Sequence, residues 1–473
     1  MEVEAGELLL VTLSRLNLTV PAFNSNAINY YSCLKELLNE DSDKNKSFLR
    51  MLENDHIAHD EFLMNKNKNN PYQFKRFKNF NEKNRAVICN SYPKEFLLPT
   101  YLIKDQEKLK EIIDFREKQR IPVICYIYKH SSGGFSSIWR SGQVKVGLFN
   151  NSSKADAGII EFIGKFSCNI ENKEKRAYVF DCRPYINAYG NKITGKGFLD
   201  NKNYHINDVI FGDINNIHFM RNAFKSLLKN IESFEKNKSA LSDWFDCLKA
   251  IIRGARLVRD HILKGDSVIV NCSDGWDRTP QIISLSKILL EPYYRTLEGF
   301  RILLHYEWIG FGHKFKTRQQ YSKDNDQESP IFIQFLDCVH QIMYQCPKKF
   351  EFSQRLLIVL AKAYIENMFF EFHCDNTEQY LEYIHGQGDD NFDNLEKGGM
   401  LSIWRMIMSN VNKFMNLDYR RQVDTHPVIE VDDDVFCLRL WSEVYCTFQP
   451  NHHRKCIKKS SFVRSPEEEF KLP

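Results

Sequence analysis

The sequence predicts an α/β fold, a central sheet flanked by helices. Three observations carry that expectation. Short apolar runs of strand length, "IPVICYIY" (121–128), "RAYVFDCRP" (176–184) and "SVIVNC" (267–272), are followed by turn residues. Two stretches with helical period each lead into a strand, "KDQEKLKEIIDFREKQR" (104–120) and "WFDCLKAIIRGARLVRDHILKGD" (244–266). Strand and helix therefore alternate along the chain, which is the order of an α/β architecture.

In chain order, "ELLLVTLSRLNLTVP" (7–21) has the composition of one or two strands. Residues 40–85 are polar, and "NKNKNNPYQFKRFKNF" (65–80) reads as a loop or linker punctuated by Pro71. Order resumes at "AVICNSYPKEFLLPTYL" and continues through the helix at 104–120 and the strand at 121–128. The strand at 176–184 turns at Pro184. Gly265 ends the helix that begins near Trp244. "SVIVNC" is the next strand and "TPQIISLSKILLEPYY" (279–294) the next helix, with Pro280 in its first turn, where a missing N–H costs nothing. Residues 330–425 are mostly helical. The stretch from about Asp424 is polar and reads as a loosely held tail. The expected divisions are 1–84, a short N-terminal region with a basic linker, 85–425, the main domain, and 426–473, the tail.

Composition bounds the function. With 473 residues the chain exceeds a single typical core. A net charge of +4 makes no bulk case for nucleic acid. Thirteen cysteines without a CxxC pair point to free thiols in a reducing compartment. The start "MEVEAGELLLVTLSRLNLTV" lacks the pattern of a signal peptide, and "LLIVLAKAYIENMFF" (356–370) is interrupted by Lys362 and Glu366. The expectation is a soluble, cytoplasmic protein whose membrane contact, if any, is peripheral. "DHIAHDEF" (55–62) sets His56 and His59 near acids, but an exposed polar helix accounts for it better than a metal pair. Lys66, Lys68, Lys75, Arg76, Lys78, Lys83 and Arg85 interleave with Tyr72, Phe74, Phe77 and Phe80, a pattern open to two readings: a solvated linker, or a patch that touches anionic lipid.

The chemistry concentrates in "VIVNCSDGWDRTPQI" (268–282). A strand runs into Cys272, and a helix starts a few residues later. Backbone N–H groups at such a junction hold phosphate, and the same field stabilises a thiolate. Arg278 carries the planar fork that grips two phosphate oxygens. An aspartate beside it suits proton transfer to the leaving oxygen and from water, and Thr279 suits a hydrogen bond to the departing sulfur. A bare Cys-x5-Arg is a weak signal, because a buried cysteine is also an ordinary small apolar residue.

The full string "CSDGWDRT" (272–279) resembles the myotubularin family of phosphoinositide 3-phosphatases. The resemblance extends to "RIPVICYIY" (120–128), "VFDCRPYINAYGNKITGKGF" (179–198), "INNIHFMRNAFKSL" (214–227), "YYRTLEGFRILLHYEWIGFGHKF" (293–315) and "SPIFIQFLDCVHQI" (329–342). It implies a cysteine-phosphatase-like fold of myotubularin type, with residues 1–84 supplying at most a short remnant of the PH-GRAM-like domain that usually opens the family. It implies removal of the D3 phosphate from phosphatidylinositol 3-phosphate and phosphatidylinositol 3,5-bisphosphate, through a cysteinyl-phosphate and without cofactor or metal. By position, Cys272 would be the nucleophile, Arg278 the phosphate clamp and Asp277 the general acid, with Thr279 assisting. Ser273, Asp274, Gly275 and Trp276 would wrap the substrate, Asp274 facing the inositol ring. Asn191, Asn216 and the Ile217 backbone would contact the headgroup, and Lys314 and Arg318 a headgroup phosphate. The bland rivals are that Asp277 only orients Arg278, that Asn191 and Asn216 are turn residues, and that Lys314 and Arg318 share one solvated helix face. Endosomal membranes and family-type dimerisation are further implications, although no sustained heptads are present. The departures are Asn271 where the family has histidine, Lys314 where it has arginine, and the short N-terminal region. The alternatives are an inactive lipid-binding scaffold of the same family and a protein tyrosine or dual-specificity phosphatase. Retention of both Cys272 and Arg278 disfavours the first, and Trp276 with the two loop acids disfavours the second.

Overall fold

The computed structural model describes residues 51–446, apart from 53–54, 67–72, 82–85, 202–203, 232–241, 320–324, 368, 389–401, 420–426 and 435–436. The strand expectation at 7–21, and most of the PH-GRAM-like remnant, lie outside the described residues.

The α/β expectation holds. A five-stranded sheet is built from β3 (Val123–Lys129), β4 (Phe135–Ser141), β5 (Ala177–Asp181), β6 (Ile206–Phe211) and β7 (Val268–Asn271), in the order β3-β4-β7-β5-β6. The β3–β4 pair is antiparallel and the other pairings are parallel. Central β7 is buried along its whole length, which is why "VIVN" is a continuous rather than an alternating apolar run. Each such Val or Ile contributes roughly 1.5–3 kcal/mol when fully buried. The flanking helices include α2 (Gln106–Phe115), α3 (Lys154–Lys165), α4 (Ile217–Asn230), α5 (Ser242–Lys264), α6 (Arg278–Leu290) and α7 (Ile331–Gln345). Every residue of α6 is buried, so this helix runs through the centre of the domain directly after the Cys272–Asp277 loop. Gly265 closes α5 in the left-handed region (φ +94°), as expected.

Two polar regions were expected to lie outside the core and do not. Helix α1 (Asp55–Lys66) buries Asp55, His59, Asp60 and Leu63. Asp55 is paired with Arg301, His59 stacks on Tyr306 with centroids 3.6 Å apart, and the Tyr306 hydroxyl bonds Asp60 at 3.2 Å. This helix is neither an exposed polar helix nor a linker. Beside it, β1 (Phe74–Lys78) pairs antiparallel with β2 (Glu95–Pro99). Its phenylalanines face inward: Phe74 meets Trp139, Phe162 and Phe166, and Phe77 meets Phe96. The lipid-contact reading of this stretch thereby loses Phe74 and Phe77, while Tyr72 and Phe80 fall outside the described side chains. Described residues on both sides of the boundary expected at 84/85 pack into one core. The polar stretch expected to hang loose from 426 is also packed as far as residue 446. Trp441 stacks on His340, and Arg259 donates to the Ile429 carbonyl at 2.5 Å. In both regions the charged and polar groups satisfy partners remote in sequence, a pairing that local polarity cannot show.

Candidate active site

The parallel strands β4, β7 and β5 end side by side, with Ser141, Asn271 and Asp181 in register. Cys272 follows β7 and is buried. The loop from Cys272 to Asp277 then climbs to α6, so the sheet's carboxyl edge and a helix N-terminus meet at one place, the usual ligand position of such sheets. Gly275 stands in the left-handed region (φ +85°), and a Cβ there would lie 2.8 Å from the Ser141 carbonyl. The turn therefore requires glycine. Its amide donates to Cys272 Sγ at 3.2 Å. Among the described residues, the amides of Ser273, Asp274, Trp276, Asp277, Arg278 and Thr279 have no protein acceptor.

Two buried arginines hold the loop from outside. Arg120 and Arg140 both donate to the Gly275 carbonyl, at 2.9 and 3.0 Å. Across a trans peptide the next N–H points the opposite way, so this clamp turns the Trp276 amide inward. Arg120 also bonds the Phe311 carbonyl and Ser91, and Arg140 pairs with Glu307, itself paired with Lys287. Neither arginine stands out as a site residue in the sequence, although Arg120 opens the quoted "RIPVICYIY". Charged residues in such contexts read as surface until their partners are known.

The expected clamp Arg278 folds over the loop, donating to Ser273 Oγ at 3.2 Å and to the Ile214 carbonyl at 3.1 Å. Thr279 Oγ1 is buried and without a hydrogen-bond partner among the described residues. Asp277 does not orient Arg278. It makes a bidentate pair with Arg318, at 2.9 and 3.1 Å, and its Oδ1 lies 3.4 Å from His313 Nδ1. Burial alone would raise its carboxyl, but Arg318 and His313 outweigh burial and hold it well below the usual carboxylate range. Asp274 goes the other way: burial, then the charge of Asp277, push it up.

The outlying residues are brought to the same loop. Gln143 N–H donates to the Ser273 carbonyl (3.1 Å), and Gln143 Oε1 accepts from Asn191 (3.2 Å) and Arg183 (2.5 Å). Arg183 pairs in turn with Asp181. Asn216 caps α4, accepting from Phe219 N–H at 3.0 Å, two residues beyond the Ile214 carbonyl that Arg278 touches; the Ile217 carbonyl accepts from Ser329. Arg318 is buried, not on a solvated helix face. Lys314 is half-buried, its Nζ 5.0 Å from the Trp276 ring centroid and bonded to the Asp375 carbonyl.

A cysteine, an arginine six positions on and amides without protein acceptors meet at a strand–helix junction, an arrangement able to hold an anion. Comparison with known proteins agrees. A myotubularin-like phosphatase domain matches residues 32–381. The chain belongs to the myotubularin family. Myotubularin of Xenopus tropicalis is 33% identical over 376 residues, covering 77% of this chain and 58% of that protein. The phosphatidylinositol-3,5-bisphosphate 3-phosphatase MTMR2 of Mus musculus is 31% identical over 409 residues, covering 84% and 60%. The phosphatidylinositol-3,5-bisphosphate 3-phosphatase MTMR6 of Caenorhabditis elegans is 32% identical over 375 residues, covering 76% and 52%. The chain thus spans roughly three fifths or less of the length of these curated relatives.

The departures from the myotubularin pattern have defined surroundings. Asn271, in place of histidine, is buried and donates to Asp181 Oδ2 at 3.3 Å, within the Asp181–Arg183 pair. Cys182, in the family's Asp-Ala-Arg-Pro segment where alanine is usual, follows Asp181 on the strand beside Cys272, and burial holds its thiol well above the usual range. Lys314, in place of arginine, sets its Nζ over the Trp276 ring, and burial lowers its pKa.

Proposed function

We propose that this protein removes the D3 phosphate from phosphatidylinositol 3-phosphate and phosphatidylinositol 3,5-bisphosphate, working as a peripheral protein on endosomal membranes of the cytoplasm. The observation that carries the activity is the loop itself: Cys272 Sγ accepts the Gly275 amide, the neighbouring loop and first-turn amides have no protein acceptor among the described residues, Arg278 folds over the loop and Asp277 is held at its end by Arg318. The substrate class rests on the names of the relatives, and the endosomal setting on the family resemblance.

The chemistry follows in two steps. The substrate phosphate enters the loop, where amide N–H groups and the Arg278 fork meet its oxygens. The Cys272 thiolate attacks phosphorus, an S–P bond forms, and the bond to the inositol 3-oxygen breaks. That oxygen takes a proton from Asp277. In the free protein Asp277 is a carboxylate paired with Arg318, but a bound phosphate adds like charge beside it, which raises its affinity for a proton. Water then attacks the thiophosphate and gives its proton to the Asp277 carboxylate, and the S–P bond breaks. The Thr279 hydroxyl, buried and uncommitted, donates to the departing sulfur. Asp274, at the outer side of the loop, faces the inositol ring, and Asn191 and the 214–217 segment line the approach.

Phosphate release from a panel of soluble phosphoinositides, with Cys272→Ser as the control, tests this reading. Release from 3-phosphorylated substrates alone, abolished in the control, is the expected result. Silence of both proteins while lipid is still bound would favour the scaffold reading instead.

A further inference from the structure

Of the thirteen well-exposed large apolar side chains among the described residues, six share one patch. Leu148 and Phe149 are the central residues of a tight turn, closed by the Asn150 amide on the Gly147 carbonyl and by Asn151 on Val146. Gly147 and Asn150 both lie at positive φ, so the turn drives its two apolar residues outward, and Phe149 is 92% exposed. Tyr185, Ile186 and Tyr189 stand on the short helix Tyr185–Gly190, with Ile193 just beyond; Ile186 is 80% exposed. The two segments are joined, because Gly147 donates to the Lys196 carbonyl (3.2 Å) and Lys192 Nζ donates to Asn150 Oδ1 (3.1 Å).

Basic residues interleave with the apolar ones. Among the described residues no carboxylate pairs with Lys192, whose Nζ sits 4.7 Å from the Phe198 ring centroid. Lys145 reaches only the Asp114 carbonyl. The patch is also continuous with the Cys272–Asp277 loop: Gln143, two residues before Lys145, bonds both Ser273 and Asn191. Lys118 and Lys196 flank Glu117 and lie close enough to act on Asp274.

We propose that this patch seats the domain on an anionic lipid bilayer, with Leu148, Phe149, Ile186 and Ile193 entering the interface and Lys145 and Lys192 meeting lipid phosphates. The proposal rests on the phosphoinositide reading above. A bilayer fits better than a protein partner for two reasons. The apolar residues stand on a tight turn and an adjoining short helix, with Lys145 and Lys192 among them, the pattern of an interfacial anchor. The patch also adjoins the loop that must reach a headgroup lying at the bilayer surface.

The test compares vesicle binding in the Cys272→Ser background, which leaves the lipid unturned, using phosphatidylcholine vesicles with and without phosphatidylserine. Phe149→Asp combined with Ile186→Asp is expected to weaken binding to the anionic vesicles about ten-fold or more. With Cys272 intact, the same pair should leave kcat/KM on dibutanoyl phosphatidylinositol 3-phosphate unchanged, and thermal unfolding should match the parent because both side chains are exposed. Separately, Phe149→Trp should shift its emission to the blue when anionic vesicles are added. Equal vesicle binding by parent and double variant, or an unshifted tryptophan, would overturn the docking proposal and leave the patch to a protein partner. If the intact protein releases phosphate from no substrate, the phosphatase reading fails, and the vesicle comparison still decides the docking surface.

Discussion

Asp274, at the outer end of the Cys272–Asp277 loop, and Asp277, at its inner end, stand three residues apart in surroundings that push them in opposite directions. Asp274 is half-buried, and burial and the neighbouring Asp277 charge raise its carboxyl. Asp277 is more deeply buried, yet Arg318 and His313 keep it ionised. A desolvated carboxylate without a close cation prefers its proton, and one with a bidentate guanidinium does not. In the free protein the inner end is thus the ionised carboxylate, and the outer end the group nearer to its neutral form.

The sharpest way to break this comparison is Asp277→Asn. It is expected to lower kcat on a soluble substrate about 10²–10⁴-fold, the usual contribution of a positioned acid–base group. A loss under ten-fold, with a larger one in Asp274→Asn, would transfer the proton work to the outer end.

Arg318→Ala comes next. It leaves Asp277 buried and unpaired, which should cost about 3–5 kcal/mol of stability, read by urea denaturation. Because the guanidinium is committed to Asp277, kcat/KM should fall on mono- and bisphosphorylated substrates alike. A loss confined to the 3,5-bisphosphate would mean that Arg318 serves the second phosphate instead.

The smallest effect is thermodynamic and has opposite signs at the two ends. The raised Asp274 carboxyl favours the folded state at low pH, and that advantage is lost as pH rises through its folded pKa. Asp274→Asn should therefore raise Tm at pH 7 and leave it nearly unchanged at pH 3. The depressed Asp277 carboxyl contributes stability above the ordinary carboxylate range and loses it as pH falls through its lower folded value. Asp277→Asn should lower Tm at pH 7, with the gap narrowing in strong acid. Melting curves of both variants at both pH values check the signs, and a shared sign would show that the two ends are not electrostatically distinct.

The sequence by itself determined the α/β class, the strands at 123–129, 177–181 and 268–271, the long helix closed by Gly265, and the loop from Cys272 to Thr279. These are local properties: hydrophobic period, turn chemistry and a motif written in consecutive residues. Only the tertiary structure decided which polar residues are structural. Asp55 and Arg301 are 246 positions apart, and Arg120 and Gly275 are 155 apart. Helix α1 and the stretch 427–446 read as solvated because their partners are remote, and the aromatics interleaved with the basic residues of β1 read as part of a solvated linker or of a lipid-facing patch. The tertiary structure likewise decided that Arg318 serves Asp277 and that Phe149, not Phe74, meets solvent. Local pattern sets a residue's preference for water or core, but whether a charge finds a buried partner, or a phenylalanine a hydrophobic wall, depends on the chain segments that folding brings against it.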